Sequence, residues 1–95
     1  MYYIEEQIRE ITNDQEFENI TTTKITNGIY LDKLKDKLQT FIEKYHPDVK
    51  FDNDLWNELL ENGSVLLESE KADDDDTESR YWKYTEYYIT FEKDD

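Results

Sequence analysis

The most regular pattern of hydrophobic positions in this chain lies between Tyr30 and His46, where apolar residues recur every three or four positions. Such spacing gathers the apolar side chains on one side of an α-helix. They are Leu31, Leu34, Leu38, Phe41, Ile42 and Tyr45. Pro47 is expected to end this helix, because proline cannot continue the backbone hydrogen bonding.

A second helix is predicted at residues 53–62, which are bounded by residues with strong preferences for helix ends. Asp52 is the expected N-cap, since its side chain can accept a hydrogen bond from a free backbone N–H group. Phe51 is placed to pack against Trp56 across the first turn. Gly63 follows the last turn, where a residue in the left-handed conformation commonly closes a helix.

The N-terminal part of the chain is predicted to hold one helix and one strand. Ile4, Ile8 and Ile11 are spaced for one face of a short helix over residues 3–12, with charged residues between them. Residues 17–26 instead contain a run of β-branched residues, which favours a strand. An Asn-Gly pair, a common turn sequence, separates that strand from the next helix.

The C-terminal third is predicted to form a β-hairpin with strands at residues 64–71 and 80–92 and a polar loop at residues 72–79. In the second strand the odd-numbered positions become apolar toward the end, so they are the better candidates for the core. The even-numbered positions carry three large aromatic residues, Trp82, Tyr84 and Tyr88. Two interpretations fit them: a second apolar layer beneath a helix, or an exposed patch that anchors a partner.

These elements, in the order α-β-α-α-β-β, predict an α+β domain: a three-stranded, mainly antiparallel sheet with about three helices packed on one face. The chain contains no linker rich in proline, glycine or serine, so residues 1–95 are expected to form a single domain. Eight Tyr, four Phe and two Trp are more aromatic residues than a disordered acidic chain carries, which favours a folded structure.

Charge is the most unusual property of the sequence, because 25 acidic against 11 basic residues leave a net charge of −14. Solubility alone needs a magnitude of only about 2–8, and the excess repels itself, so we expect a use for it. Residues 1–47 hold nine acids and six bases, whereas residues 48–95 hold sixteen acids and five bases. No basic patch is indicated, so the expected partner is a basic protein, not nucleic acid or a membrane.

The absence of cysteine excludes disulfide bonds, thiol nucleophiles and cysteine-based metal sites. The first residues show neither the basic nor the apolar segment of a signal peptide, and no apolar run approaches the roughly 18 residues of a membrane-spanning helix. We therefore expect a cytoplasmic protein.

Residues suited to catalysis are scarce. His46 is the only histidine and stands beside Pro47 at a predicted helix end, where a structural or exposed role is the simpler interpretation. Phosphate-binding glycine loops, nucleophile elbows and zinc-protease motifs are missing. The four aspartates at 73–76 do not fit a calcium loop, because the required glycine falls on Glu78 or Ser79. We expect no enzymatic activity, no cofactor and no dedicated metal site.

Acidic residues of the second half form the candidate binding surface. Glu68 and Glu70 are two apart on a predicted strand, so both point to one face, about 6.6 Å apart. Carboxylates displayed in this way can pair with the arginines and lysines that otherwise hold phosphate. The candidate contacts are Glu68, Glu70, Asp73, Asp74, Asp75, Asp76 and Glu78 in the hairpin, Asp54, Glu58 and Glu61 on the preceding helix, and the aromatic anchors Trp82 and Tyr84. The alternative is a solvated loop that only keeps the protein soluble.

The small size, the strong acidity, the lack of cysteine and the acidic loop together resemble the small inhibitor proteins of phages and mobile elements that mimic DNA. Among these the chain is most similar to anti-CRISPR proteins. The resemblance implies binding, in the host cytoplasm, to the sites where a CRISPR nuclease uses arginines to hold DNA. Two alternatives stay open: an immunity protein or antitoxin that neutralises a basic toxin such as a nuclease, and an accessory subunit of a larger cellular assembly.

Overall fold

The computed structural model describes residues 1–12, 19–73 and 82–94, without the side chains of residues 72, 73 and 82. Its elements in chain order are β1 (Tyr2–Thr12), β2 (Asn19–Gly28), α1 (Leu31–Tyr45), α2 (Asn53–Asn62), β3 (Ser64–Asp73) and β4 (Trp82–Lys93). The strands form one antiparallel sheet in the order β2-β1-β4-β3. β2 and β3 are therefore the two edge strands of this sheet.

The α+β class and the antiparallel sheet are confirmed, but the predicted numbers of elements are wrong. The described residues form four strands and two helices, because the segment predicted as a helix over residues 3–12 is the central strand β1. Ile4, Glu6 and Ile8 pair with β4 residues of the core-facing side and so share one face of the sheet. Because Glu6 is a charged residue at this inward position, the sequence lacks the alternation of apolar and polar residues that would have indicated a strand.

The other two helix predictions are confirmed within one residue at each end. α1 spans Leu31–Tyr45, and α2 spans Asn53–Asn62 as predicted. The Asp52 side chain accepts a hydrogen bond of 3.0 Å from the backbone N–H of Leu55. Gly63 closes α2 in the left-handed conformation, with a φ of 78°. Both α2 ends are therefore set by the local sequence.

The strand predictions differ from the structure mainly at their ends. β2 runs from Asn19 to Gly28, two residues later at its C-terminal end than the predicted strand at 17–26. β3 continues through Asp73, so residues 72 and 73 belong to the strand and not to the predicted loop. The two residues pair with the start of β4, which extends the hairpin ladder. Residues 74–81, with the rest of that loop, lie outside the described residues.

The hydrophobic core lies between the helices and one face of the sheet. Its fully buried side chains are Ile4, Leu34, Leu38, Ile42, Leu59 and Ile89. The burial of Ile89 confirms that the odd-numbered positions of β4 face the core. α1 packs on β2 and β1, and α2 packs on β3 and β4.

The other face of the sheet carries Tyr3, Arg9, Tyr84 and Tyr88, and we call it the open face. Among the described residues, neither helix has the length and apolar character needed to cross a lipid bilayer.

Candidate functional site

A buried ion cluster joins the end of α1 to two strands of the sheet. The ring of His46 is 4% exposed and lies between two carboxylates. Its Nε2 is 2.7 Å from Oε2 of Glu6, and its Nδ1 is 3.0 Å from Oε1 of Glu68. We call these three residues the His46 triad. The triad ties β1 to β3 across β4, because those two strands are not neighbours in the sheet.

Local features of the chain hold His46 in this position. Its backbone N–H donates to the carbonyl oxygen of Ile42 at 2.7 Å, which makes it the C-cap of α1, and Pro47 ends the helix immediately afterwards. The imidazole then packs edge-on against Tyr87, with ring centroids 5.0 Å apart. Of the structural and exposed roles that the sequence allowed for this histidine, the structure shows the buried, structural one.

The two carboxylates favour a protonated His46. Burial by itself lowers the pKa of this imidazole, but hydrogen bonds to Glu68 and Glu6, together with their negative charges, outweigh burial and raise the pKa above 6.5. When His46 is protonated, its imidazolium donates from both nitrogens, one hydrogen bond to each carboxylate. Neither ring nitrogen is then free to take a proton from a substrate, which a general base must do.

We expect the raised pKa of His46 to make stability fall as the pH rises. The unfolded chain releases the imidazole proton near pH 6.5, the ordinary value, while the folded chain still holds it. The contribution of the triad is therefore complete below pH 6.5 and is lost as the pH rises through the higher pKa of the folded state. Urea unfolding at a series of pH values would show this decline in the free energy of unfolding.

An NMR titration provides an independent check, because one histidine gives one imidazole signal. The expected midpoint lies above 6.5, the ordinary value for histidine. A His46→Gln variant is the control for the unfolding series, since the remaining pH dependence then comes from the other groups. A midpoint at or below 6.5 would contradict the geometry of the triad.

Beside the triad, a cleft of about 450 Å³ opens between α1 and β2. Its lining combines the triad residues Glu6 and His46 with rings of Phe41, Tyr45 and Tyr87. Burial and the charges of Glu70, Glu68, Glu6 and Glu10 raise the pKa of the Tyr87 hydroxyl, which therefore stays neutral at physiological pH.

Charge is unevenly divided between the two edges of the sheet. Residues 19–46, which form β2 and α1, hold five basic and three acidic residues, with His46 counted as neutral. Residues 47–73, which lead into and form α2 and β3, hold eight acidic and two basic residues. We call these ranges the basic edge and the acidic edge, since β2 and β3 lie at opposite edges of the sheet.

Several candidate contacts are exposed on the two neighbouring elements of the acidic edge, α2 and β3. The side chains of Asp54, Glu58 and Glu61 are exposed on α2, and that of Glu70 is exposed on the neighbouring strand β3. Glu68 lies on the same face as Glu70, as the strand spacing predicts, but its carboxylate is engaged by His46. Glu68 therefore contributes to the fold and is less available to a partner than the other four.

The aromatic candidates lie elsewhere. Tyr84 pairs with Lys71, and the neighbouring pair is Thr85 with Glu70. Because successive residues of a strand point to opposite faces, Tyr84 lies on the open face and Glu70 on the other face. Tyr84 is 38% exposed, and Nζ of Lys71 lies 5.7 Å from the centroid of its ring. Of the two interpretations of these aromatics, the exposed patch fits Tyr84, because both helices lie on the other face. Asp73 and Trp82 are described as backbone only, and Asp74, Asp75, Asp76 and Glu78 lie outside the described residues.

Two features of the acids on α2 oppose helix formation, although Asp54 lies in the first turn, where a negative charge is favourable to the helix dipole. Asp54 and Glu58 are four residues apart, a like-charge spacing that costs about 0.2–0.5 kcal/mol. The last turn has no basic residue and contains Glu61, whose charge is unfavourable there by about 0.3–1 kcal/mol. Glu61 therefore does not stabilise the helix, and the Asp54–Glu58 pair offsets part of what Asp54 contributes at the N-terminus.

The His46 triad is the part of this site that the sequence reasoning missed. Glu6 and His46 are forty residues apart in the chain, and no local pattern connects them. The one available signal was the carboxylate of Glu6 between Ile4 and Ile8, which is unusual at an inward position.

In the ranges that the structure covers, no group of three or more His, Asp or Glu side chains is arranged to hold a metal ion. Comparison with known protein families, curated proteins and solved structures finds no match for this chain.

Proposed function

We propose that this protein inhibits a basic nucleic-acid-binding protein by occupying its phosphate sites with the acidic edge, and that a CRISPR nuclease is the favoured target. The observation that carries the proposal is the concentration of acidic residues at one edge of the sheet, eight of them against two basic residues in residues 47–73. A charge kept only for solubility has no reason to collect at one edge.

The acidic edge has the chemistry to replace a nucleic acid backbone. Arginine binds carboxylate and phosphate through the same planar pair of N–H donors, so carboxylates spaced along a helix and a strand can compete with phosphates. Asp54, Glu58 and Glu61 fall on one side of α2, at helical spacings of four and three residues. Glu70 extends this set onto β3. A partner holding these carboxylates would release its DNA without any reaction being catalysed.

A competition assay tests this function directly. A guide-loaded CRISPR nuclease is given a fluorescent target duplex, and the protein is added in increasing amounts while fluorescence anisotropy reports the bound duplex. We expect the duplex to be displaced in proportion to the added protein. The duplex with the protein alone is the control, because direct binding to DNA would imitate displacement.

A parallel assay with a basic nuclease toxin separates this proposal from its rival. Inhibition of the toxin together with intact DNA binding by every CRISPR nuclease tested would overturn the proposed target and favour an immunity protein or antitoxin. Stable co-purification with one large assembly, without displacement of DNA, would favour an accessory subunit.

Binding to the basic partner should weaken steeply with ionic strength. The Debye length falls from about 10 Å at 0.1 M salt to about 3 Å at 1 M, so exposed carboxylates lose their long-range attraction. Electrostatic steering can raise association rates by about 10- to 1,000-fold, and most of that gain should disappear at high salt. Stopped-flow measurement of the association rate constant from 0.1 M to 1 M salt checks this expectation. An association rate that does not change with salt would rule out mimicry of a phosphate backbone.

A further inference from the structure

The two edge strands of the sheet differ in how well they are protected against pairing with another strand. Edge strands expose unpaired backbone groups, and proteins usually blunt them with charged residues and bulges. β3 has a bulge between Leu66 and Glu68 and carries Glu70 and Lys71 beyond it. Residues 19–24 of β2 form a regular run before the bulge at Ile25, all six residues are exposed, and Lys24 is their one charged residue.

The residues of this segment also favour strand pairing. Ile20 is 48% exposed, and three threonines follow it, at positions 21 to 23. β-branched residues are enriched in strands, and threonine pairs across antiparallel strands contribute about 0.2–1 kcal/mol each. The segment has no proline and no acidic residue. Within the described residues, β2 is paired on one side only, with β1.

We propose that β2 pairs antiparallel with β2 of a second copy of this chain, centred on Thr22, to form a two-fold dimer with a continuous eight-stranded sheet. Each sheet contributes four strands in the order β2-β1-β4-β3, so the two β3 strands become the outer edges. A two-fold axis through this pair closes the assembly, and no further copy can add at β2.

Between the two edges of the sheet, charge opposes pairing with a second copy less at β2 than at β3. The basic edge holds five basic and three acidic residues, whereas the acidic edge holds eight acidic and two basic residues. Pairing through β3 would bring two acidic edges together, which repel each other. Pairing through β2 places the acidic edges at the far ends of the dimer, where their mutual repulsion is smallest.

The register follows from the residues and their faces. Ile20, Thr22 and Lys24 all lie on the open face, since they pair with Arg9, Gln7 and Glu5 of β1. A centre at Thr22 sets each Ile20 opposite Lys24 of the other copy, so the aliphatic part of the lysine covers the exposed isoleucine. Thr21 then faces Thr23 of the other copy, and no two like charges are opposite each other. The paired segment is short, so a weak, concentration-dependent dimer is expected.

The absence of cysteine makes a cross-linking test unambiguous. In a Thr22→Cys variant, the proposed register brings the two introduced thiols face to face on the axis. A Ser69→Cys variant, on the exposed edge strand β3, is the matched control. We expect disulfide-linked dimer to form at least about tenfold faster for Thr22→Cys, because pairing raises the local thiol concentration toward the millimolar range. Equal rates for the two variants would overturn the proposal.

Charge exchange at the axis tests the register itself. Thr22→Asp and Thr22→Lys variants each place two like charges opposite each other, so each should sediment as a monomer where the parent forms dimers. An equimolar mixture of the two should dimerise again, since opposite charges then meet. Self-association of the parent should strengthen with salt, which screens the repulsion between two chains of charge −14. A parent that stays monomeric up to millimolar concentration, or a mixture that stays monomeric, would show the pairing to be wrong.

Discussion

Replacing His46 with leucine should cost about 3–5 kcal/mol of the free energy of unfolding, the range found when one partner of a buried ion pair is removed. The Glu6 side chain is 12% exposed and would lose the imidazole that it contacts at 2.7 Å. Glu68, at 29% exposed, can regain water more easily. The free energy of unfolding of a domain of this size is about 5–15 kcal/mol in total, so the variant should lose a substantial part of it. Urea denaturation followed by circular dichroism measures the change.

A double variant separates the buried charge from the loss of packing. Glu6→Leu combined with His46→Leu removes the more deeply buried of the two carboxylates that contact His46, so it should recover a substantial part of the lost stability. The comparison isolates the energetic coupling between the two residues. An unfolding midpoint for His46→Leu equal to that of the parent would show that the His46 triad does not stabilise the fold.

Neutralising three acids of the acidic edge should reduce affinity for the basic partner by about 30-fold or more. The variant combines Glu58→Gln, Glu61→Gln and Glu70→Gln, and it leaves Glu68 in place because that residue also holds His46. An arginine left unpaired in an interface costs about 2–5 kcal/mol, and about 2 kcal/mol already corresponds to 30-fold. Relief of repulsion on α2 should preserve or raise stability. Isothermal titration against the partner and thermal unfolding measure the two effects.

A charge-matched control comes from α1. Asp32, Asp36 and Glu43 are exposed there, and changing them to amides removes the same number of negative charges from the basic edge. That variant should bind the partner nearly as well as the parent. Equal affinity losses for both variants would mean that net charge alone, and not the acidic edge, determines binding.

The sequence predicted the helices well because their information is local. Apolar spacing, an aspartate N-cap and a glycine C-cap all act within a few residues, and α1 and α2 follow them closely. β1 was mistaken for a helix because its isoleucines at 4, 8 and 11 also fit a helical face. Only a contact forty residues away, from His46, explains a carboxylate on the core side of that strand.

The candidate site was predictable in composition but not in arrangement. Counting charges located the acidic half of the chain, and strand alternation correctly placed Glu68 and Glu70 on one face. The sequence could not show that the Glu68 carboxylate is hydrogen-bonded to His46. It also could not show that Tyr84 and Glu70 lie on opposite faces of the sheet. Both facts depend on which strands are neighbours, which is decided by long-range pairing and not by local preference.

The opposed edges also give the molecule a permanent electric dipole across its strands. Four strands about 4.8 Å apart separate the outer two by roughly 14 Å. Five basic against three acidic residues stand on one side and eight acidic against two basic on the other. In the field of a cationic surface this dipole experiences a torque, so the molecule turns its acidic side forward before the surfaces touch. A chain of equal net charge with evenly spread acids would be attracted as strongly and would arrive in random orientations.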